Sequence, residues 1–445
     1  MSCRPTPESL VRLNKRYRIF NELTSDLSSL EDYPPRPTFS AKDNLCAIGF
    51  QARAGSRILE GYRPPFDATP VWKMRQEGML LVGKTNMDEF GFGTFSTNSG
   101  YDIPRNPFDE ERACGGSSGG AAAATNIFVG HVALGVSTGG SISCPASFCG
   151  VLGLTPTYGR VSRYGLIDYG NSLDKVGLMA RDASSLRTWL PIISGPDPKD
   201  PTSCVQPKLE LGPRHVERLA VPKEAMLNLS SGVEAKFKES LTRLQEEHDI
   251  LVDEVSMPSL RYALSAYYVL ATSEASTNLA RYCGMRFGVR NTNISQHFND
   301  FFSETRSANF GAEAKRRILL GTYARMVGFR DRYYMKALAV RQLVITDYKR
   351  ILQDHDLVLT PTMPFIAPRF TEIQRMRPLE AYQADFLTIP PNLAGLPHLT
   401  LPCGYVEGLP VGMQAVASHW EERALLDLAE RWTSRFQLRF PEVSP

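Results

Sequence analysis

The sequence has no long hydrophobic run and no marked excess of charge of one sign. A membrane-crossing helix takes about 18 or more consecutive apolar residues. The chain contains no such run and no secretory signal core, so a spanning helix is not expected. Lysines and arginines number 50 against 47 acids, which leaves a formal net charge of +3. So small a net positive charge does not favour nucleic acid as a direct partner of the chain.

Cysteine pairs of the kind that bind zinc or build a disulfide framework are also missing. The eight cysteines are scattered, without a CxxC pair or a zinc-type spacing to histidine. We therefore expect reduced, mostly buried thiols and no metal site. Near the beginning of the chain, five basic residues stand against the single acid Glu8. Such a stretch occurs in organelle import signals, but from the sequence alone a solvated basic helix is the preferred interpretation.

Short apolar strands alternate with amphipathic helices along most of the chain, which favours an α/β fold. Residues 1–35 read as a short helical lead-in that ends at Pro34-Pro35. The predicted helices cover 69–77, 121–124, 232–248, 258–283, 311–353 and 421–435, and the predicted strands cover 38–44, 79–82, 250–252 and 357–359.

Two familiar patterns occur without the context that gives them meaning. Residues 78–85 fit the phosphate-loop pattern GxxxxGK[ST], but their apolar middle predicts a strand where an open loop is required. Residues 115–119 fit the GxSxG elbow of Ser-His-Asp hydrolases, yet the polar residues 109–114 before them do not predict the necessary strand. His131 and His398 read as packing or surface residues. A Ser-His-Asp hydrolase stays open as an alternative.

Three short blocks, in order along the chain, resemble the amidase signature family. The blocks are Lys42-Asp43-Asn44, Gly115-Gly116-Ser117-Ser118-Gly119-Gly120 and Thr138-Gly139-Gly140-Ser141, and residues 145–166 are similar to the family core. The resemblance implies one large α/β/α layered domain over residues 36–445, around a mixed, mostly parallel sheet. The signature core would cover about residues 36–185.

The resemblance also implies a Lys–Ser–Ser triad. Ser141 would be the nucleophile, and Ser117 would relay its proton to Lys42, because a serine hydroxyl attacks poorly until a base removes its proton. The family holds the relay serine after a cis peptide bond, here Gly116–Ser117. Taken singly, these residues suit plainer roles: a lysine in a turn, a serine in a flexible loop and a helix N-cap.

Two further features of the site follow from the same resemblance. The backbone N–H groups of Thr138, Gly139, Gly140 and Ser141 would hold the oxyanion of the reaction intermediate. The lysine has to be neutral to accept a proton, and burial would lower its pKa. Asp43, next to the lysine, would raise that pKa if its carboxylate faced the amine.

Four other blocks resemble the A subunits of glutamyl-tRNA(Gln) amidotransferases, a branch of this family. By that resemblance Tyr268, Arg317 and Asp385 would bind free glutamine, whose carboxylate needs a cation and whose ammonium group needs an anion. Arg316 is an alternative carboxylate ligand, and a solvated charge or a helix cap is the alternative role for these charged residues. The blocks cover residues 82–101, 267–288, 315–324 and 385–397.

The same resemblance implies a glutaminase whose ammonia passes to a partner, the B subunit, which converts Glu-tRNA(Gln) to Gln-tRNA(Gln) with ATP and Mg²⁺. We therefore expect no cofactor in this chain, tRNA bound mainly through the partner, and a heterotrimer completed by a small third subunit. The short segment before Lys42 resembles the fungal mitochondrial form, which implies the mitochondrial matrix. The bacterial cytoplasm is the alternative location.

The nucleophile block departs from the family's usual S-D-T-G-G-S-I-R at two positions. Ser137 replaces the aspartate and Ser143 replaces the arginine. Our hypothesis is that the two form a buried pair in relatives and were lost together, because removing both partners can be nearly neutral. Two alternative functions stay open: a stand-alone amidase for small amides, and a catalytically weakened assembly subunit.

Overall fold

The computed structural model describes residues 4–31, 36–203, 205–290, 295 and 297–442. Within this part of the chain eleven strands form: β1 Phe20–Leu23, β2 Thr38–Lys42, β3 Leu80–Thr85, β4 His131–Ser137, β5 Leu152–Thr155, β6 Lys175–Ala180, β7 Arg218–Pro222, β8 Leu251–Val255, β9 Leu357–Pro361, β10 His398–Val406 and β11 Leu409–Val416.

All of these strands join one sheet, in the order β1-β3-β2-β4-β6-β5-β10-β11-β9-β7-β8. Among the described strands, four neighbouring pairs are parallel and six are antiparallel. The α/β class and the mixed sheet are confirmed, but the expectation of a mostly parallel sheet is wrong. The reason is the β10–β11 hairpin, which together with β5 and β6 inserts antiparallel strands between two parallel wings.

The helices of the same described residues pack on both faces of the sheet. They are α1 Pro7–Tyr17, α2 Thr69–Gln76, α3 Gly119–Ile127, α4 Ser143–Cys149, α5 Ala183–Ile193, α6 Ser231–His248, α7 Leu260–Asn278, α8 Phe298–Asn309, α9 Ala312–Arg325, α10 Tyr334–Asp354, α11 Phe370–Ile373, α12 Pro378–Gln383, α13 Ile389–Leu393 and α14 Glu422–Arg435.

The two faces carry separate hydrophobic cores, which confirms the layered architecture. Helices α2, α5, α6 and α14 cover one face, and α3, α7, α10 and α13 cover the other. Side chains alternate between the faces of a strand. Phe39 and Ala41 of β2 belong to the first core, so Lys42 points to the second face, where α3 and α7 pack.

The sequence-based elements agree with the structure where the hydrophobic period is clear. The helices predicted at 69–77, 232–248 and 421–435 end within one residue of the observed bounds. The stretch at 311–353 is divided into α9 and α10 by turns over 326–333. Helix α8 and the hairpin were not predicted.

The predicted helical lead-in, residues 1–35, contains a strand as well as a helix. It contains α1 and also β1, which pairs antiparallel with β3 at the edge of the sheet. Its predicted end at Pro34-Pro35 lies outside the described residues, and the division into a lead-in and a main domain stays a prediction.

Two expectations about composition can be compared with the fold. The six described cysteines are free thiols and five of them are buried, as predicted, while Cys3 and Cys204 lie outside the described residues. Over the described ranges, no helix combines the length and the apolar character that a membrane crossing requires.

A buried ion pair ties α14 to the loop after β5. Arg160 Nη2 lies 3.1 Å from Glu422 Oε2, with side-chain exposures of 1% and 0%. The Thr157 N–H also donates to Glu422 Oε1 at 3.0 Å. Removing one partner of such a pair leaves an uncompensated buried charge, which costs about 3–5 kcal/mol.

Glu422→Ala is therefore expected to lower the free energy of unfolding by about 3–5 kcal/mol in urea titrations. The matched control is Glu234→Ala, which removes an exposed pair with Lys238 in α6 and should change stability by no more than about 0.5 kcal/mol. Equal small effects for both variants would contradict the assigned role of the buried pair.

Candidate active site

Lys42 is the last residue of β2 and only 1% of it is exposed. Its Nζ donates to Ser117 Oγ at 2.7 Å and to the Val136 carbonyl oxygen of the neighbouring strand at 2.9 Å. When the amine is neutral, it can keep the bond to the carbonyl and accept the hydroxyl proton with its lone pair. The geometry therefore suits proton transfer between Ser117 and Lys42.

The surroundings of Lys42 favour the neutral amine. Burial lowers its pKa to about 7, against the opposing charges of Asp88 and Asp174. Asp43 is not among the groups that act on it. The Asp43 Oδ2 accepts from Asn21 Nδ2 at 2.9 Å and from the Gly55 N–H at 3.1 Å. The Asp43 carboxylate therefore binds the residues around Asn21 and Gly55.

Ser117 lies in the turn before α3 and is fully buried. The Gly116–Ser117 peptide bond is cis, as the resemblance implies. A Cβ on Gly116 would collide with the Asp88 carboxylate and would approach the Ser96 nitrogen to 2.7 Å. The Gly116 N–H donates to the Thr94 carbonyl oxygen at 2.6 Å. Only glycine fits at this position, and the loop over 86–100 holds the turn that carries Ser117.

Ser141 follows β4 in the Thr138–Gly139–Gly140 turn and is 7% exposed. Its carbonyl oxygen accepts from the Ser118 N–H at 3.2 Å, which joins this turn to the Ser117 turn. A Cβ on Gly140 would collide with the Thr388 side chain, and one on Gly139 would lie 2.9 Å from the Tyr267 ring. The turn is therefore packed tightly under α7 and the segment before α13.

Asp174, the residue before β6, fixes the other end of this turn. Its Oδ1 accepts from Thr138 Oγ1 at 2.7 Å, and its Oδ2 accepts from the N–H groups of Tyr169 at 2.8 Å and Gly170 at 3.0 Å. Burial raises the Asp174 pKa to about 7. Asn392 Nδ2 donates to the Thr138 carbonyl oxygen. These bonds hold the backbone of the predicted oxyanion site in one conformation.

The three residues predicted to bind substrate lie together. The Tyr268 hydroxyl donates to Asp385 Oδ2 at 3.3 Å, and the Arg317 guanidinium carbon lies 5.2 Å from the Tyr268 ring centre. Thr94 Oγ1 also donates to Asp385 Oδ2, at 2.7 Å. Because the Thr94 carbonyl oxygen accepts from Gly116, a single residue connects this group to the Ser117 turn.

The neighbouring arginines on α9 have opposite orientations. Arg317 is 3% exposed and donates to Tyr169 Oη at 2.6 Å and to Glu313 Oε1 at 2.8 Å. The side chain of Arg316 is 42% exposed and pairs with the other oxygen of Glu313. Arg317 is therefore the arginine that faces the interior beside Tyr268, and Arg316 faces outward.

Several residues of this site were not predicted from the sequence. Asp88 accepts from the N–H groups of Ser96 at 3.0 Å and Asn98 at 2.8 Å, and burial raises its pKa to about 6. Glu313 also accepts from the Tyr382 hydroxyl at 2.6 Å. Asp88 lies between glycines in the block 82–101, which resembles the family. That position was the signal in the sequence that could have identified it.

Lys84 of the phosphate-loop pattern and the two histidines named in the sequence analysis have ordinary structural roles. Lys84 of the GxxxxGK[ST] pattern lies inside β3 and is fully buried, with its Nζ bonded to the Asp43 carbonyl oxygen at 3.3 Å. His131 lies between Thr38 Oγ1 at 3.1 Å and Ser40 Oγ at 2.9 Å, and burial lowers its pKa to about 3. His398 is also fully buried, in β10.

Residues 38–426 match the model of the family described as Amidase. The chain belongs to the amidase family. It is 42% identical over 437 residues to the A subunit of the glutamyl-tRNA(Gln) amidotransferase of Persephonella marina, covering 96% of this chain and 89% of that one. It is 45% identical over 397 residues to the A subunit of the Archaeoglobus fulgidus enzyme, covering 89% and 85%.

The fold of this amidase is similar to a solved structure of the same kind. The crystal structure of the A subunit of glutamyl-tRNA(Gln) amidotransferase from Thermotoga maritima superposes with a TM-score of 0.82 at 34% identity. The match covers 98% of this chain and 93% of that one.

The two unusual serines of this amidase differ in their bonding. The Ser137 hydroxyl donates to the Gly139 carbonyl oxygen at 3.0 Å, inside the turn that carries Ser141. The Ser143 hydroxyl is buried and has no hydrogen-bond partner among the described residues. The hypothesis that a lost Asp–Arg pair occupied these positions stays a prediction.

Proposed function

We propose that this amidase is the glutamine-hydrolysing A subunit of a glutamyl-tRNA(Gln) amidotransferase. The observation that carries the proposal is the group of buried Arg317, buried Asp385 and half-buried Tyr268, which Thr94 joins to the Ser117 turn. A hydrolase of simple amides does not need a buried cation and a buried anion in the group that contacts the Ser117 turn. The similarity to subunits of that name over most of the chain supports the same assignment.

The proposed reaction is acyl transfer through an ester on Ser141. The Ser141 hydroxyl attacks the side-chain carbonyl carbon of glutamine while its proton passes through Ser117 to Lys42. Backbone N–H groups of the turn over 138–141 stabilise the oxyanion, each being worth about 3 kcal/mol in the transition state. The C–N bond then breaks, Lys42 returns the proton to the leaving nitrogen, and ammonia departs.

Hydrolysis of the ester restores the enzyme. Water attacks the γ-glutamyl ester and gives its proton through Ser117 to Lys42, and the Ser141 oxygen is reprotonated as glutamate leaves. One amide bond and one water molecule are consumed, and one ammonia and one glutamate are formed. The ammonia is the product that the proposed complex uses.

Glutamine recognition is assigned to the charged groups. The Arg317 guanidinium would bind the α-carboxylate, and Asp385 with the Tyr268 hydroxyl would bind the α-ammonium group, since charge-assisted hydrogen bonds are roughly twice as strong as neutral ones. Burial raises the Asp385 pKa to about 6, so its carboxylate is charged at pH values above that. Arg317 and Asp385 thus complement a zwitterionic amino acid.

The remaining steps are assigned to partners. In this proposal the B subunit binds ATP, Mg²⁺ and most of the tRNA, and a small third subunit completes a heterotrimer. The net charge of +3 accords with leaving tRNA to a partner. The mitochondrial matrix is the proposed location, on the resemblance to the fungal form.

Substrate discrimination tests the assignment directly. We expect wild type to hydrolyse glutamine with a kcat/KM roughly 10–100-fold above that for 4-aminobutanamide, which lacks the α-carboxylate, because one hydrogen bond between charged groups is worth about 1.5–3 kcal/mol. In Arg317→Met this ratio should fall to about 1, with 4-aminobutanamide hydrolysis retained as an internal check of the active site. Both rates are measured by ammonia release from the assembled complex.

Arg316→Met is the matched control, since the neighbouring arginine faces outward, and its substrate ratio should equal that of wild type. A wild-type enzyme that does not distinguish the two amides would favour the stand-alone amidase. If the glutamine to 4-aminobutanamide ratio of kcat/KM fell equally in Arg317→Met and Arg316→Met, the assignment of Arg317 as the carboxylate ligand would be wrong.

A further inference from the structure

Exposed apolar side chains are concentrated where α9 ends and α10 begins. We call this surface the α9–α10 patch. It consists of Leu319, Leu320, Tyr323, Met326, Val327, Tyr333, Met335 and Leu338, with exposures from 36% to 100%. Single exposed apolar residues are ordinary, but a continuous group of them marks a surface that binds something.

Helical spacing and ring contacts connect members of the patch. Leu319, Tyr323 and Val327 lie four residues apart, which places the first two on one side of α9. The Tyr323 ring centre lies 4.4 Å from that of Phe329 and 5.9 Å from that of Tyr333. The turn between the helices is therefore folded back against α9, and it extends the apolar surface to the start of α10.

The opposite side of α9 is already packed within the chain. Arg317 and Gly321 are buried there, and a Cβ on Gly321 would collide with the backbone of Thr272 in α7. The outward stripe therefore lies on the side of α9 away from α7, and the packing of these two helices does not explain its apolar character.

Basic residues surround the patch. Residues 315–336 contain seven lysines and arginines and one acid, Asp331. Arg317 is buried in the active site, and the other six basic side chains are exposed: Lys315, Arg316, Arg325, Arg330, Arg332 and Lys336. An apolar centre with an arginine-rich margin is the composition of a protein–protein interface.

We propose that the α9–α10 patch docks a partner polypeptide segment that presents aliphatic side chains among aspartates and glutamates. The positive margin selects an acidic segment, because complementary charges favour docking and like charges oppose it. A second copy of this chain is disfavoured, since a twofold interface would bring the six basic residues against themselves. Nucleic acid is held by basic and stacking side chains, whereas six of the eight patch side chains are leucine, methionine or valine and cannot stack on bases.

The identity of the partner rests on the proposed function, which assigns the segment to another polypeptide of the amidotransferase. Helix α9 carries Leu319 and Leu320 on its outside and Arg317 on its inside. A partner seated on this helix would therefore contact the element that positions the glutamine carboxylate ligand.

The test uses the full chain and the B and third subunits of the same organism, produced together. We expect Leu319→Asp/Val327→Asp to weaken their association at least about 30-fold, as for the loss of a central apolar contact. Arg330→Glu/Arg332→Glu should also weaken it and should reduce its dependence on salt concentration. Association is measured by sedimentation velocity and biolayer interferometry.

Val205→Asp is the matched control, because that valine is 90% exposed in the connection between α5 and β7, outside the patch, and it should bind as wild type does. All variants should keep the wild-type urea midpoint, which separates lost docking from lost folding. Unchanged association of both double variants would overturn the docking proposal while leaving the proposed function intact. A wild-type chain that forms no complex at all would instead overturn the proposed function.

Two further outcomes would replace the acidic segment by another occupant. If the variants lose only self-association of the isolated chain, the patch is an interface between copies. If they lose only binding of tRNA to the complex, the patch is a nucleic-acid surface. Either result would overturn the proposal as stated.

Discussion

Ser141→Ala is expected to lower the rate of glutamine hydrolysis by at least about 10⁴-fold, because no ester can form without the nucleophile and only substrate binding and the oxyanion site remain. The measurement is ammonia release from glutamine by the chain assembled with its partners. Amidation supplied with free ammonium should be retained, since that reaction bypasses Ser141. Together the two rates separate loss of the nucleophile from loss of the complex.

Ser143→Ala is the control, two residues further along the chain. Its buried hydroxyl has no hydrogen-bond partner among the described residues, so its removal should change the rate and the stability very little. A Ser141→Ala enzyme as active as wild type would end the assignment of the nucleophile. Inactivity of wild type itself, with ammonium-dependent amidation intact, would support the weakened assembly subunit.

The candidate catalytic residues could be named from the sequence because they stand in short contiguous blocks, and their catalytic roles stay a prediction. Ser117 and Ser141 each sit in a turn whose glycines and small residues are visible in the sequence, and Lys42 ends β2 in the block Lys42-Asp43-Asn44. The Lys42–Ser117 distance of 2.7 Å accords with the predicted relay. What the blocks could not predict is the electrostatic balance of the lysine, which depends on Asp88 and Asp174. Both carboxylates lie in loops without hydrophobic period, and they accept from backbone N–H groups and, for Asp174, also from the Thr138 hydroxyl.

The antiparallel centre of the sheet was missed for a local reason. Val406 pairs with Leu409, so Glu407 and Gly408 alone form the turn of the β10–β11 hairpin, with φ of +53° and +79°. A turn with two positive φ values favours Asn-Gly or Asp-Gly. Glutamate at the first position gives a much weaker sequence signal. The packing of this hairpin against β5 is set by contacts far apart in the chain.

The candidate substrate-binding residues could be named only through resemblance, and their binding role stays a prediction. Tyr268 and Arg317 lie on helices whose sequence would equally suit a surface position, and the choice between Arg316 and Arg317 depends on how α9 packs. Gly321 determines that packing, because it lets α9 approach the Thr272 backbone closely. Close approach then turns Arg317 inward and Arg316 outward, which no property of the two adjacent arginines could indicate.

Lys42→Met is expected to reduce glutamine hydrolysis by about 10³–10⁴-fold, because the variant keeps the apolar stem and loses the base. The pH dependence identifies the base more specifically. Since the neutral amine is the active form and its pKa lies near 7, the wild-type kcat/KM should fall about tenfold per pH unit below that value and level off above it. The residual activity of Lys42→Met should not show this acid limb.

Lys84→Met is the matched control for burial. Lys84 is also fully buried and burial lowers its pKa, but its amine bonds backbone carbonyl oxygens and does not contact Ser117. This variant is expected to lose stability and to keep the acid limb near pH 7 in its remaining active fraction. Because Asp88 and Asp174 act on the amine of Lys42, the apparent pKa of the acid limb belongs to Lys42 coupled to these two carboxylates. If the acid limb persisted in Lys42→Met and vanished in Lys84→Met, the base would be Lys84, and the assignment of proton transfer to Lys42 would be wrong.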